Sequence, residues 1–86
     1  MSAIPHAADA RVVMYVREQC HLCEVALSLV VEVCEPAGIT WTTVDIDQNP
    51  ELLEMFTDHV PVTFVDGEQH DYWGVNPGRL SEALGV

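Results

Sequence analysis

Arg11-Val12-Val13-Met14-Tyr15-Val16-Arg17-Glu18-Gln19-Cys20-His21-Leu22-Cys23 passes from an apolar, β-branched run into a C-x-x-C pair that opens a long apolar stretch. The run predicts a strand over residues 11–17, and the composition after Leu22 predicts a helix. A C-x-x-C at a strand-to-helix junction reads as a redox dithiol rather than half of a zinc knuckle. The first amide N–H groups of a helix lack intrahelical partners and carry about half a positive charge together. A sulfur placed there is stabilised as thiolate, the form that attacks a disulfide. Cys20 falls at the cap and Cys23 one turn inside, on the same side. Two sulfurs so placed can reach disulfide distance without rearranging the fold.

With 86 residues, 49% of them hydrophobic, the chain is read as one small domain over residues 11–86 with a single core. Residues 1–10 have neither a basic start nor an apolar run, which predicts a loose N-terminal extension and no secretory signal. The apolar region over residues 25–34 is too short to span a membrane and is broken by Ser28 and Glu32. A cytoplasmic protein is expected, a setting in which structural disulfides are rare. Three arginines, no lysine and 14 acidic residues give a formal net charge of −11. Nucleic acid and anionic membranes are poor partners for such a chain, and a protein with a basic docking face is a better one. The acidic field opposes a thiolate at Cys20. Screening over about 8 Å at physiological salt leaves the nearby helix terminus and Arg17 in control.

The pattern onward predicts a helix over 20–35, ended by Pro36-Ala37-Gly38 and mostly buried. Its polar residues Glu24, Ser28, Glu32 and Glu35 form one narrow wet stripe. A second strand over 39–46 follows, joined by a right-handed parallel crossover. Asp47 to Pro50 make a turn, and 51–57 a short helix. Strands over 61–65 and 68–73 flank Asp66-Gly67, the strongest hairpin signal in the chain. Asn76-Pro77 fits an N-cap and first helical residue for a last helix. The expected fold is α/β, a thioredoxin-like β-α-β-α-β-β-α order with a four-stranded mixed sheet and helices on both faces.

At residue level the chain resembles glutaredoxins. Tyr15 to Cys23 is similar to their active-site segment, with a basic residue three before the first Cys. His59-Val60-Pro61-Val62 is similar to their T-V-P segment. The stretch from Val60 to Glu68, with Tyr72-Trp73-Gly74-Val75-Asn76-Pro77, resembles the NrdH-type redoxins that serve ribonucleotide reductase. The resemblance implies a cis bond before Pro61, with the unpaired backbone of Val60 facing the dithiol and receiving substrate chain as an added strand. It also implies that Arg17 and Gly74 line the groove. Four features depart from the pattern. His59 replaces Thr, Gly74-Val75-Asn76-Pro77 lacks the carboxylate that grips glutathione, Tyr72-Trp73 replaces Trp-Ser, and the C-x-x-C interior is His-Leu.

The expectation is a glutaredoxin-like thiol–disulfide oxidoreductase acting as a monomer on protein disulfides, with Cys20 as nucleophile and Cys23 resolving the mixed disulfide. His21, protonated, would stabilise the Cys20 thiolate; the alternative is a solvated side chain pointing away. Arg17 would bind a carboxylate of glutathione or of a partner, or steady the thiolate. No bound cofactor and no resident metal are expected. Electrons arrive from glutathione, another low-molecular-weight thiol or a thioredoxin reductase. The competing reading is a metal- or Fe–S-binding or partner-docking module on the same fold, without turnover. Cys34 lies eleven helical residues beyond Cys23, about 16 Å at a rise of roughly 1.5 Å, too far for a disulfide with the pair. It is expected in the core. Asp45 and Asp47 read as a strand-end and turn pair without function, and Asn76 as a helix cap.

Overall fold

Val12, Val13, Met14 and Tyr15 are each 9% exposed or less. A strand apolar on both faces needs cover on both. In the computed structural model, which describes residues 10–86, the strand Val12–Val16 (β1) lies inside a four-stranded sheet and has that cover. The extension expected over residues 1–10 lies outside the described residues except for Ala10. After β1 come α1 (His21–Ala37), β2 (Trp41–Asp45), a 3₁₀ turn (Ile46–Gln48), α2 (Pro50–Phe56), β3 (Val62–Val65), β4 (Glu68–Tyr72) and α3 (Pro77–Leu84). The sheet order is β2-β1-β3-β4. β2 runs parallel to β1, while the β1–β3 and β3–β4 pairs are antiparallel. The mixed thioredoxin-type α/β arrangement is therefore the one the sequence predicts.

Alternate residues of β1 feed two separate cores. Val12 and Met14 pack with Ala26, Val30 and Cys34 of α1 and with Leu80 and Leu84 of α3. Val13 and Tyr15 pack on the other side with Leu52 and Phe56 of α2 and with Val62 and Phe64 of β3. There the Tyr15 ring lies 5.1 Å from that of Phe56 and 5.4 Å, edge-on, from that of Phe64. No helix among the described residues is long and apolar enough to cross a membrane.

Three expectations need correction. The first helix is not mostly buried: only Cys23, Ala26, Val30 and Cys34 are, while Leu22 and Val25 are 54% and 47% exposed. The sheet covers one helical face, and α3 is too short to wrap the rest. The helix ends within the expected Pro36-Ala37-Gly38 segment but runs to Ala37 rather than Glu35, with Pro36 in its last turn. Proline removes only its own N–H, and the helix stops where Gly38 adopts φ +67°, its N–H and that of Ile39 closing onto the carbonyls of Glu35 and Cys34. The second strand is shorter than expected, because Asp45 caps a 3₁₀ turn by accepting the Asp47 N–H at 2.9 Å.

The hairpin forms as predicted, with Asp66 at φ +51° and Gly67 at φ +87°, the left-handed pair that a type I′ turn demands. Asp66 is also tied to the start of β1. Its N–H donates to the Arg11 carbonyl at 2.8 Å, and its carboxylate receives Nε and Nη2 of Arg11 at 2.9 Å each. This hydrogen-bonded guanidinium holds the Asp66 carboxyl below its ordinary value of 3.8. The unfolded chain therefore takes up a proton here more readily than the folded one. The pair's stabilisation is fully present above the ordinary aspartate range and is lost as pH falls through the lowered folded value. Asp66→Asn should accordingly flatten the decline of the urea midpoint with falling pH in the acid range, leaving the neutral-pH slope unchanged. An acid limb as steep as the wild type's would show that the pair does not contribute.

Candidate active site

The strand registers bring four loops to one end of the sheet. Val16 pairs with Asp45 across the parallel strands, Tyr15 with Val62, and Val62 with Tyr72. Segments 17–20, 46–48, 58–61 and 73–74 thus leave or enter the sheet together, and the C-x-x-C pair belongs to this group.

Cys20 and Cys23 are joined as a disulfide, with Cα atoms 5.2 Å apart. Cys20 is the N-cap of α1, in extended conformation at φ −107° and ψ 100°. Its Sγ accepts the Cys23 N–H at 3.1 Å, and its carbonyl accepts the Glu24 N–H at 3.2 Å. The sulfur thus takes the role that a serine or aspartate oxygen plays at an ordinary cap. The two cysteines differ in access: Cys20 is half-buried, while Cys23 is 5% exposed and faces the core. Gln19, just before the cap, holds φ +55°, an uncommon backbone state for a non-glycine residue.

Arg17 is engaged elsewhere than at the sulfurs. Its Nε donates to Asp47 Oδ1 at 3.0 Å and its Nη1 to Thr57 Oγ1 at 2.9 Å. The second Asp47 oxygen is 3.4 Å from the Glu18 N–H. Asp47 therefore ties the loop before the dithiol to the turn after β2, a role that the sequence reading did not assign to it. The available signal was the parallel crossover, which sets the end of β2 beside the end of β1. The His21 side chain is exposed and makes no hydrogen bond or ion pair among the described residues.

The Val60–Pro61 bond is cis, as the resemblance implied. Val60 packs its side chain on the α2-side core, and neither its N–H nor its carbonyl has a partner among the described residues. Gly74 is half-buried, and a Cβ built there would meet nothing within 4 Å. Among the described residues no group of three or more His, Cys, Asp or Glu side chains could hold a metal ion.

Residues 11–85 match the family model described as "Glutaredoxin-like domain (DUF836)". The chain belongs to this glutaredoxin-like family. An uncharacterised protein of Mycobacterium tuberculosis is 32% identical over 75 residues, which cover 81% of this chain and 77% of that protein. Among solved structures, the target protein XcR50 from X. campestris superposes with a TM-score of 0.72 at 25% identity, covering 86% of this chain and 95% of its own. Fasciola hepatica thioredoxin, at 23% identity and a TM-score of 0.57 over 86% of this chain and 76% of its own, shares the fold.

The third cysteine of this glutaredoxin-like domain stands apart from the pair. Cys34 is free and 0% exposed. Burial pushes its thiol pKa up, an effect that Arg11 partly opposes and Glu35 reinforces. A buried protonated thiol is inert. After reduction, native protein should therefore titrate Cys20 readily with a large, charged alkylating reagent and Cys23, 5% exposed, more slowly, while Cys34 should appear only in denaturant. Reaction of all three in native buffer would contradict the packing.

Proposed function

We propose that the chain is a cytoplasmic thiol–disulfide oxidoreductase that reduces protein disulfides through Cys20 and Cys23. The asymmetry of the pair carries the assignment, with one cysteine half-buried at a helix cap and the other 5% exposed. Once reduced, Cys20 as thiolate would keep the Cys23 N–H as a charge-assisted hydrogen bond, which favours the ionised form. The thiolate attacks one substrate sulfur and the S–S bond breaks. The other substrate sulfur leaves as thiolate and takes a proton from water. Cys23 then loses its proton, attacks Cys20 Sγ and expels the second substrate thiol, leaving the disulfide seen here. Two electrons have passed to the substrate, and an external thiol returns them.

Substrate backbone would pair with the free N–H and carbonyl of Val60 beside Pro61, a recognition mode that is tolerant of sequence. Arg17 keeps one guanidinium nitrogen, Nη2, without a hydrogen bond among the described residues, and this could meet a substrate carboxylate. Gly74 leaves room in the groove, and His21, next to Cys20 in the chain, is exposed to an incoming substrate.

Cys20→Ser should lower turnover of a protein disulfide by about 100-fold or more, while Cys23→Ser should accumulate a mixed disulfide visible by intact mass. Retained turnover in Cys20→Ser would reverse or remove the assignment.

The electron donor follows from the charge. All three arginines are already paired, Arg11 with Asp66, Arg17 with Asp47 and Arg79 with Asp71, on a chain of net charge −11. Anionic glutathione is repelled, and a carboxylate to hold its amino end is missing at Val75-Asn76. We infer a reductase protein with basic groups around its docking face as the preferred donor, as the NrdH-like residues also suggest. Glutathione should recharge the protein about ten-fold less efficiently than such a reductase, and added salt should improve the glutathione rate by screening repulsion. A glutathione rate that matched the reductase's and fell with salt would place attraction at Arg17 above the overall field.

A further inference from the structure

We propose that Trp73 is a positioning residue for substrate docking, which by tying up the carbonyls around Val60 leaves that residue as the one open backbone rung of segment 58–61. The inference rests on the oxidoreductase reading above and assigns a role within that site. Trp73 is 56% exposed, so core burial does not explain it. Its φ is +68°, a state that a bulky side chain adopts only when its surroundings impose it. What imposes it is a set of hydrogen bonds directed at one loop. The Trp73 N–H is shared between the carbonyls of Pro61 at 2.8 Å and His59 at 3.2 Å, and its indole Nε1–H donates to the Asp58 carbonyl at 2.8 Å.

The ring adds to the hold. It stacks on His59 at 6.4 Å with planes 12° apart, and Tyr72 meets its edge at 5.0 Å. One residue therefore occupies the carbonyls of residues 58, 59 and 61. The His59 N–H is used by the Phe56 carbonyl at 2.8 Å, and Pro61 has no N–H. Within the segment only Val60 has neither backbone group paired among the described residues. An extended substrate that docks by backbone pairing meets one defined register, set before it arrives. Such preorganisation lowers the ordering cost of binding and leaves the sulfur chemistry untouched.

Two variants separate this role from simple stability. Trp73→Phe keeps the backbone N–H bonds and an aromatic ring but removes the indole donor. Trp73→Gly accepts φ +68° without strain and keeps the backbone N–H, but removes the ring altogether. With a disulfide-bonded peptide as substrate, KM should rise by about five-fold in the glycine variant and less in the phenylalanine variant, with kcat retained. The urea midpoint of Trp73→Gly should stay at or above that of the wild type. In the oxidised protein, ¹⁵N relaxation should show the Val60 amide rigid in the wild type and mobile in Trp73→Gly, with an order parameter below about 0.6. An unchanged peptide KM in both variants would overturn the proposal whatever Val60 does, as would a Val60 that stays rigid. A wild-type chain that reduces no disulfide would instead overturn the oxidoreductase reading, and the docking role with it.

Discussion

Burial of β1 on both faces is the constraint from which the rest of the molecule follows. A strand with no wet side must have a helical layer above and another below, and Val12 and Met14 point to one while Val13 and Tyr15 point to the other. The strand must also be interior to the sheet, with β2 on one flank and β3 on the other. One neighbour is parallel and the other antiparallel, so the end of β1 meets the end of β2 and the beginning of β3. This alone gathers the dithiol loop, the Asp47 turn and the Val60-Pro61 segment. None of these loops needs a strong preference of its own to reach the site.

The features legible in the sequence are those whose causes are local. The β1 run, the Asp66-Gly67 turn and the Asn76-Pro77 helix start each depend on residues within a few positions, and each forms as expected. The dithiol at the helix cap was legible for the same reason. What escaped depends on partners distant in the chain. Composition alone cannot say that the sheet and α3 cover only one side of α1, so Leu22 and Val25 read as core and are exposed. Asp47 looked idle because its partner Arg17 is 30 residues away. Trp73 looked like a substitution in a pattern, because its carbonyl partners lie across the β3–β4 hairpin.

Two loops at the dithiol end of the sheet share an uncommon trait. Gln19 precedes the cap in left-handed backbone and Trp73 follows β4 in the same state. Outside the Asp66 turn, where the hairpin requires it, these are the non-glycine residues with positive φ among those described. Backbone that is costly to hold persists where the surroundings over-determine it, and such places concentrate at working sites. Next to Gln19 the Glu18 N–H donates to the Asp47 carboxylate, and Trp73 donates to the carbonyls of Asp58, His59 and Pro61.

The sheet also divides ownership of the site. Cys23 belongs to α1, whose buried face joins the α3-side core, while Val60 packs its side chain into the α2-side core. On the proposed reading, sulfur chemistry and substrate grip are rooted in different layers, with the sheet between them. Changes separated in this way act nearly independently. A lineage could repack Leu52 or Phe56 and shift how the Val60 rung is offered while the helix that presents the cysteines stays as it was. Under the proposed function the fold is in this sense modular across its thickness, able to change what it would grip while keeping how it would react.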